Sequence, residues 1–269
     1  VRGKGTYIAT WEAGVGTPFG QAGALLMMKL GPGTETLNEQ EGTYYGEILR
    51  GVRHTARLLG LEVKYDRIWS PVRVPLARYT PPLATEVCGA VLCGTYDDQY
   101  IDMFRSERVP TVVVDYWTPA SDTDCVTVDV QGEAHMAVDH LSKLGHRTLG
   151  FVTAGRNDPS TGVHSFDPDV WRLVDHLRHV GSSRGVAMKD EWVVAVSRPT
   201  DISLAVDRGL GRGRGPTAVL CFDFESAGAL LGAMQTKGLR CPEDVSIMTR
   251  GHSDFPTALA RQATQLTGN

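Results

Sequence analysis

The stretch from Val126 to Val152, VTVDVQGEAHMAVDHLSKLGHRTLGFV, constrains the fold most. VTVD is a short β-branched run that ends at Asp129, and TLGFV is a second buried run. Gly145, just before TLGFV, suits the left-handed position that ends a helix. Between the two runs, four apolar residues follow helical spacing and predict one buried helix face: Ala134, Ala137, Leu141 and Leu144.

A helix between two buried strands predicts a parallel crossover, and therefore a doubly wound α/β sheet. In such sheets, ligands bind beyond the carboxyl ends of the strands. Asp129 lies at such an end, so its side chain is either a ligand contact or the N-cap of the following helix.

Composition narrows the class of protein. A chain of 269 residues with 42% hydrophobic and 22% charged residues is typical of a globular protein with one large or two modest domains. The net charge of −4 lacks the basic surplus of a nucleic-acid binder. The five cysteines form no CxxC pair, which favours reduced thiols and no zinc site. There is no secretion signal and no apolar run long enough for a bilayer, so we expect a cytoplasmic protein without membrane contact.

The remaining segments alternate between strand and helix patterns. The predicted strands are ALLMMKL, LEVKYD, VCGAVLCG, PTVVVD, TLGFV, EWVVAV, PTAVLCFD and VSIMT. The predicted helices begin at Thr43, at Asp97 or Asp98, at Pro168, at Asp201 and after Asp223. The Pro168 helix is expected to close at Gly181, and residues 154–167 are expected to form a loop.

Three phrases carry a family resemblance: VDV…AVDHLSKLGHRTLGFV, VCGAVLCG…VPTVVVD and PTAVLCFDFESAGALLGAMQTKGLRCPEDVSIM. Together they resemble the effector-binding core of LacI/GalR-type transcription regulators, from the first strand to Asp254. The resemblance implies a two-lobed, periplasmic-binding-protein-like α/β fold in which each lobe is a doubly wound parallel sheet. It also implies a homodimer and a small-molecule effector, a sugar or sugar derivative, held in the cleft between the lobes.

The first residues are different in character. VRGKGTYI resembles the end of the wing in a GntR-type winged-helix domain, as in regulators of the arabinose-repressor type; a basic hairpin of no special role is the alternative. We therefore expect a wing remnant and linker in residues 1–22, an N-terminal lobe in 23–145 and a C-terminal lobe in 146–269. The C-terminal lobe is expected to stop before the family's final crossover helix. Operator DNA would be bound through a winged-helix domain largely missing from this chain.

The resemblance also implies ligand-binding residues. They stand after strands or in the first turns of helices: Tyr44, Tyr45, Thr95, Tyr116, Asp129, Asp169, Arg172, Phe222, Asp223 and His252. Tyr45 also belongs to an apolar helix face, so core packing is its alternative role.

The chain departs from the family pattern at three positions. Asp169 stands where the family has a ligand-clamping Arg, and Arg172, one turn on, is its substitute. Phe222 replaces an Asn that bonds a ligand hydroxyl. Gly251 replaces a ligand-facing acid, with His252, Ser253 or Asp254 as substitutes. These changes favour a less polar ligand than the family's sugar, or none.

The expected function is therefore the ligand-sensing core of a bacterial transcription regulator, and a stand-alone solute-binding protein of the same fold is the alternative. An α/β enzyme is a third possibility, but the sequence has no GxSxG or HExxH motif. Asp139-His140 and Asp175-His176 are adjacent on helices and diverge too far to form catalytic dyads. We expect no catalysis, no cofactor and no metal.

Overall fold

A computed structural model describes most of the chain. The described residues are 24–30, 44–68, 86–94, 98–118, 122–154, 156–157, 164–165, 168–196, 199–207, 215–250 and 263–266. They form two five-stranded sheets and a two-stranded hairpin. The wing-like segment predicted in residues 1–12 lies outside the described part of the chain, as do Thr95 and His252.

The first sheet belongs to the N-terminal lobe. Its elements are β1 (Ala24–Leu30), α1 (Tyr44–Leu58), β2 (Glu62–Ile68), β3 (Gly89–Cys93), α2 (Asp98–Ser106), β4 (Thr111–Val114) and β5 (Asp124–Val126). The strand order is β2-β1-β3-β4-β5, and every neighbouring pair is parallel. α2 buries Tyr100, Ile101 and Phe104 against this sheet, as their spacing predicts.

The second sheet belongs to the C-terminal lobe. Its elements are α3 (Val130–Lys143), β6 (Leu149–Ala154), β7 (Arg156–Asn157), β8 (His164–Ser165), α4 (Pro168–Arg184), a 3-10 turn (Asp190–Trp192), β9 (Val193–Val196), α5 (Pro199–Asp207), β10 (Ala218–Cys221), α6 (Phe224–Thr236), β11 (Ser246–Arg250) and β12 (Ala263–Leu266). The strand order is β12-β11-β10-β6-β9, again all parallel. β7 and β8 form an antiparallel hairpin where the sequence predicts only a loop.

Helices cover both faces of the second sheet. Ala218 and Leu220 of β10 pack with α3 and α4, whereas the alternate residues Val219 and Cys221 pack with α5 and α6. All four β10 side chains are fully buried, which explains the unbroken apolar run. The predicted doubly wound, parallel α/β architecture is therefore confirmed.

α3 packs on the second sheet, together with α4. Ala134, Ala137 and Leu141 are buried as predicted, but Leu144 ends the helix and is 61% exposed. The helix connects β5, an edge strand of the first sheet, to β6 of the second. A crossover within one sheet is therefore wrong, because α3 leaves the first sheet at its edge and meets its apolar partners in the other lobe. That β5 and β6 lie in different lobes agrees with the predicted boundary between residues 145 and 146. The lobe boundary after residue 145 stays a prediction.

α4 continues past Gly181, the residue predicted to end it. The helix ends at Arg184, and Gly185 takes the left-handed conformation at φ +67°. Gly181 has a packing role: a Cβ at this position would lie 2.6 Å from the Val186 carbonyl oxygen. The Val186 amide also donates to the Gly181 carbonyl at 2.8 Å, which fixes this close approach.

None of the helices in the described ranges is both long and apolar enough to cross a bilayer.

We predict that Gly181→Ala lowers the free energy of unfolding by about 1–3 kcal/mol, because the new methyl group displaces the backbone at Val186. Gly232→Ala in α6 is the matched control, since a Cβ there meets nothing within 4 Å. It should stabilise the protein by up to about 1 kcal/mol through helix propensity. Urea denaturation of both variants measures the difference, and a neutral Gly181→Ala would contradict the packing role.

Candidate ligand-binding site

The carboxyl end of β4 places a strained residue at the edge of the first sheet. Asp115 follows this strand with a φ of +61°, which is uncommon for a residue other than glycine. Its amide donates to the Val126 carbonyl at 2.9 Å, and its carboxylate accepts the Tyr45 hydroxyl at 2.6 Å. α1 therefore delivers Tyr45 to the strand end where Asp115 stands. Backbone strain of this kind is concentrated at functional sites.

A contact between the lobes lies beside this residue. Trp117 follows β4 and is 45% exposed. The guanidinium of Arg172, in the second turn of α4, lies over the Trp117 ring at 5.2 Å from its centroid. This cation–π contact joins the carboxyl edge of the first sheet to the start of a helix of the second lobe. The two lobes thus face each other where the sheet edges carry polar side chains.

The second lobe places a buried ion pair at its own sheet edge. Arg250 is the last residue of β11, and its Nε lies 2.9 Å from Glu133 Oε2 in α3. The Arg250 guanidinium also lies over the Phe222 ring, 4.3 Å from the centroid. Phe222 in turn meets Phe151 edge to face, with ring centroids 6.4 Å apart. We call these four residues the Arg250 cluster.

Two predicted site residues are helix caps. Asp129 Oδ1 accepts from the Gly132 amide at 2.9 Å at the start of α3, and Asp223 Oδ1 accepts from the Ser226 amide at 2.7 Å at the start of α6. The capping alternative for Asp129 is thus confirmed. A cap uses one carboxylate oxygen, so a ligand contact by either residue stays a prediction.

The other predicted residues fall into three groups. Tyr45, Arg172 and Phe222 reach the contacts described above. Tyr116 instead is only 7% exposed, packs in the core of the first lobe, and donates from its hydroxyl to Asp98 at 3.3 Å. The third group of side chains, those of Tyr44 and Asp169 in helices and of Thr95 and His252, lies outside what the structure describes.

The sequence reasoning missed four residues of this region. Asp115 and Trp117 flank Tyr116, and their position directly after a buried strand was the available signal. Glu133 and Arg250 are far apart in the chain, and each reads as an ordinary surface charge. Only the tertiary fold, in which α3 packs on the second sheet, brings this pair together.

Three of the described thiols and the pair Asp139-His140 do not resemble catalytic groups. Burial raises the pKa of the thiols of Cys88, Cys221 and Cys241, which disfavours the reactive thiolate. The Asp139 carboxylate bonds Arg184 rather than His140. It accepts from Arg184 Nε at 2.8 Å, and this bond lowers the pKa of Asp139. Within the described ranges, no three His, Cys, Asp or Glu side chains converge to hold a metal ion.

Known proteins resemble the chain in sequence. Residues 138–267 match the sequence model of the periplasmic binding protein-like domain. The chain is 28% identical over 213 residues to the HTH-type transcriptional repressor PurR of Salmonella paratyphi B, a match covering 77% of this chain and 60% of that protein. The chain therefore spans less than two thirds of the length of this relative.

Solved structures resemble the fold over both lobes. A LacI family transcriptional regulator from Mycobacterium smegmatis matches with a TM-score of 0.64 and 23% identity, covering 90% of this chain and 83% of that chain. A sugar-binding transcriptional regulator of the LacI family from Escherichia coli, complexed with phosphate, matches with a TM-score of 0.65, 15% identity and the same two coverages, 90% and 83%. These likenesses show that the chain has the periplasmic-binding-protein-like fold.

The capping role of Asp223 leads to a stability prediction. Asp223→Ala should lower the free energy of unfolding by about 0.5–2 kcal/mol, because the Ser226 amide loses its acceptor. Asp223→Asn keeps a capping oxygen and should remain within a few tenths of a kcal/mol of the parent. Chemical denaturation of both variants makes the comparison. An equal loss in both would show that the negative charge, rather than the cap, stabilises α6.

Proposed function

We propose that this chain, which has the fold of the effector-binding core of LacI/GalR-type regulators, senses a small molecule for a bacterial DNA-binding transcription regulator. One observation carries the proposal: Arg172 and Trp117 meet between the lobes, at edges that carry Asp115, Tyr45 and the Arg250 cluster. The carboxyl ends of parallel strands are where α/β proteins bind ligands. The similarity to a transcriptional repressor favours a regulator over a stand-alone solute-binding protein.

The effector is proposed to be a sugar or sugar derivative. Trp117 offers an exposed aromatic face of the kind that packs against a sugar ring. Arg172 can donate several hydrogen bonds to vicinal hydroxyls, and it replaces the clamping arginine that the family places one turn earlier. The carboxylates of Asp115 and Asp223 supply acceptors on opposite lobes. The solved relative from Escherichia coli is itself described as sugar-binding, which is in line with this class.

The proposed mechanism is a population shift between two lobe arrangements. A ligand that contacts Trp117 on one lobe and Arg172 on the other favours the arrangement in which both reach it. The shift can be no larger than the difference in the ligand's affinity for the two arrangements. In a homodimer with a DNA-binding domain, that difference would change operator affinity. The DNA contacts would come from a winged-helix domain, to which residues 1–12 are proposed to belong, and the protein would act in the cytoplasm.

Two variants test the site. A panel of monosaccharides and sugar derivatives is first screened by thermal shift, because a ligand that binds only the folded protein raises the melting temperature. For a ligand found this way, Arg172→Ala and Trp117→Ala should each weaken binding about tenfold or more in calorimetric titration, which corresponds to about 1.4 kcal/mol.

Arg178→Ala is the matched control, since Arg178 lies further along α4 and pairs with Asp190. Its affinity for the ligand should equal that of the parent. Unchanged affinity in both test variants, with circular dichroism showing an intact fold, would contradict binding between the lobes. A panel in which nothing raises the melting temperature would contradict the sugar class.

A further inference from the structure

The Arg250 cluster holds one guanidinium from two sides. Glu133 engages Nε at 2.9 Å, and the Phe222 ring lies under the guanidinium plane at 4.3 Å. Phe151 meets the Phe222 ring edge to face, at an interplanar angle of 72°. The two atoms of this ion pair are close but do not meet in hydrogen-bond geometry, so the Phe222 ring sets the plane of the guanidinium and Glu133 balances its charge. The terminal nitrogens of the guanidinium form the edge that pairs bidentately with carboxylate or phosphate oxygens.

The cluster is more buried than a surface ion pair. The side chains of Arg250 and Glu133 are only 14% and 10% exposed. The Nε atom itself is fully buried, so the exposed area of Arg250 belongs to its other atoms. Removing two charges from water is costly, and well-packed apolar residues of the same size often stabilise a core as well or better. Stability alone therefore explains this pair poorly.

The position of Arg250 suggests a role in recognition. It ends β11, and Phe222 directly follows the neighbouring strand β10, so both lie at the carboxyl edge of the second sheet. This is the edge at which the proposed effector would bind. Glu133, from the first turns of α3, reaches the same edge and compensates the arginine charge while the site is empty of ligand.

We propose that Arg250 is a specificity-determining residue of the ligand site, and that it selects an effector carrying an anionic oxygen group, a phosphate or a carboxylate. Phe222 is a positioning residue that orients the guanidinium, and Glu133 balances its charge. The inference rests on the proposed ligand-sensing function and narrows its ligand class from sugars in general to acidic sugar derivatives. Charge-assisted, bidentate hydrogen bonds account for the preference.

Three probes that share one pyranose ring test the preference on the 269-residue chain: D-glucose, D-glucose 6-phosphate and D-glucuronate. We expect at least one of the two anions to bind about tenfold or more tightly than glucose in calorimetric titration. The comparison of the two anions distinguishes phosphate from carboxylate. Binding of glucose as tight as that of both anions would overturn the inference but leave the sensing function in place. Failure of all three probes to bind would overturn the inference and count against the proposed sugar sensing as well.

Two variants separate recognition from structural support. The double variant Arg250→Gln/Glu133→Gln removes both charges without leaving one buried and unpaired. In this variant the anion and glucose should bind with about equal affinity. Glu133→Gln alone removes the negative charge that competes with the ligand, so anion affinity should rise several-fold while glucose affinity stays unchanged. Because Glu133→Gln leaves the Arg250 charge without its partner, circular dichroism first checks the fold of this variant, and the double variant decides the matter if the single variant does not fold.

A purely structural ion pair makes the opposite prediction for Glu133→Gln: weaker binding of anionic and neutral probes alike. That result, or an anion preference that persists in a folded double variant, would overturn the role of Arg250. Arg240→Gln is the matched control, because Arg240 is exposed and pairs only with nearby Asp244 in the described structure. It should leave both the anion preference and the absolute affinities as they are in the parent.

Discussion

The packing of α3 on the second sheet is the interaction on which the candidate site depends. α3 begins a few residues after β5, the last strand of the first lobe, and its apolar face joins the core of the second lobe. Ala134 and Ala137 are fully buried at this contact, and their small side chains let the helix approach α4 closely. The same helix carries Glu133 to Arg250. The helix α3 thus connects the two lobes and also places Glu133 beside Arg250 at the carboxyl edge of the second sheet.

The polar groups at the two edges already have partners in the protein. Tyr45 bonds Asp115, Arg172 lies on Trp117, and Arg250 pairs with Glu133. A ligand has to replace these contacts or share them. Its binding free energy is therefore the difference between its own contacts with these groups and the contacts within the protein that it replaces. Such a site discriminates between ligands, because a molecule that lacks the right group leaves a desolvated charge less well compensated. Because the contact between Arg172 and Trp117 joins the two lobes, a ligand that replaces it would also change how the lobes are held together.

Much of the fold follows from local pattern. Fully buried parallel strands appear as unbroken apolar runs, and helices that cover a sheet show a narrow apolar face, so elements such as β3, β10, α2 and α6 could be predicted with few errors in their bounds. The capping positions of Asp129 and Asp223 could be predicted for the same reason, since an N-cap bonds an amide only three residues away. Where local signals were misleading, as at Gly181, the reason was a contact with the Val186 backbone beyond the helix.

Residues in the candidate site were harder to predict, because their roles depend on which neighbours the fold brings to them. Tyr116 and Trp117 are adjacent aromatic residues after the same strand, yet one is buried in the first lobe and the other meets Arg172. The sequence by itself determined the alternation of strands and helices, the burial of both sheet faces and the helix caps, because these depend on residues close in the chain. Tertiary structure alone decided that α3 serves the second lobe and that Glu133 meets Arg250. Those contacts join residues far apart in sequence, and their energy comes from burial that no local pattern records.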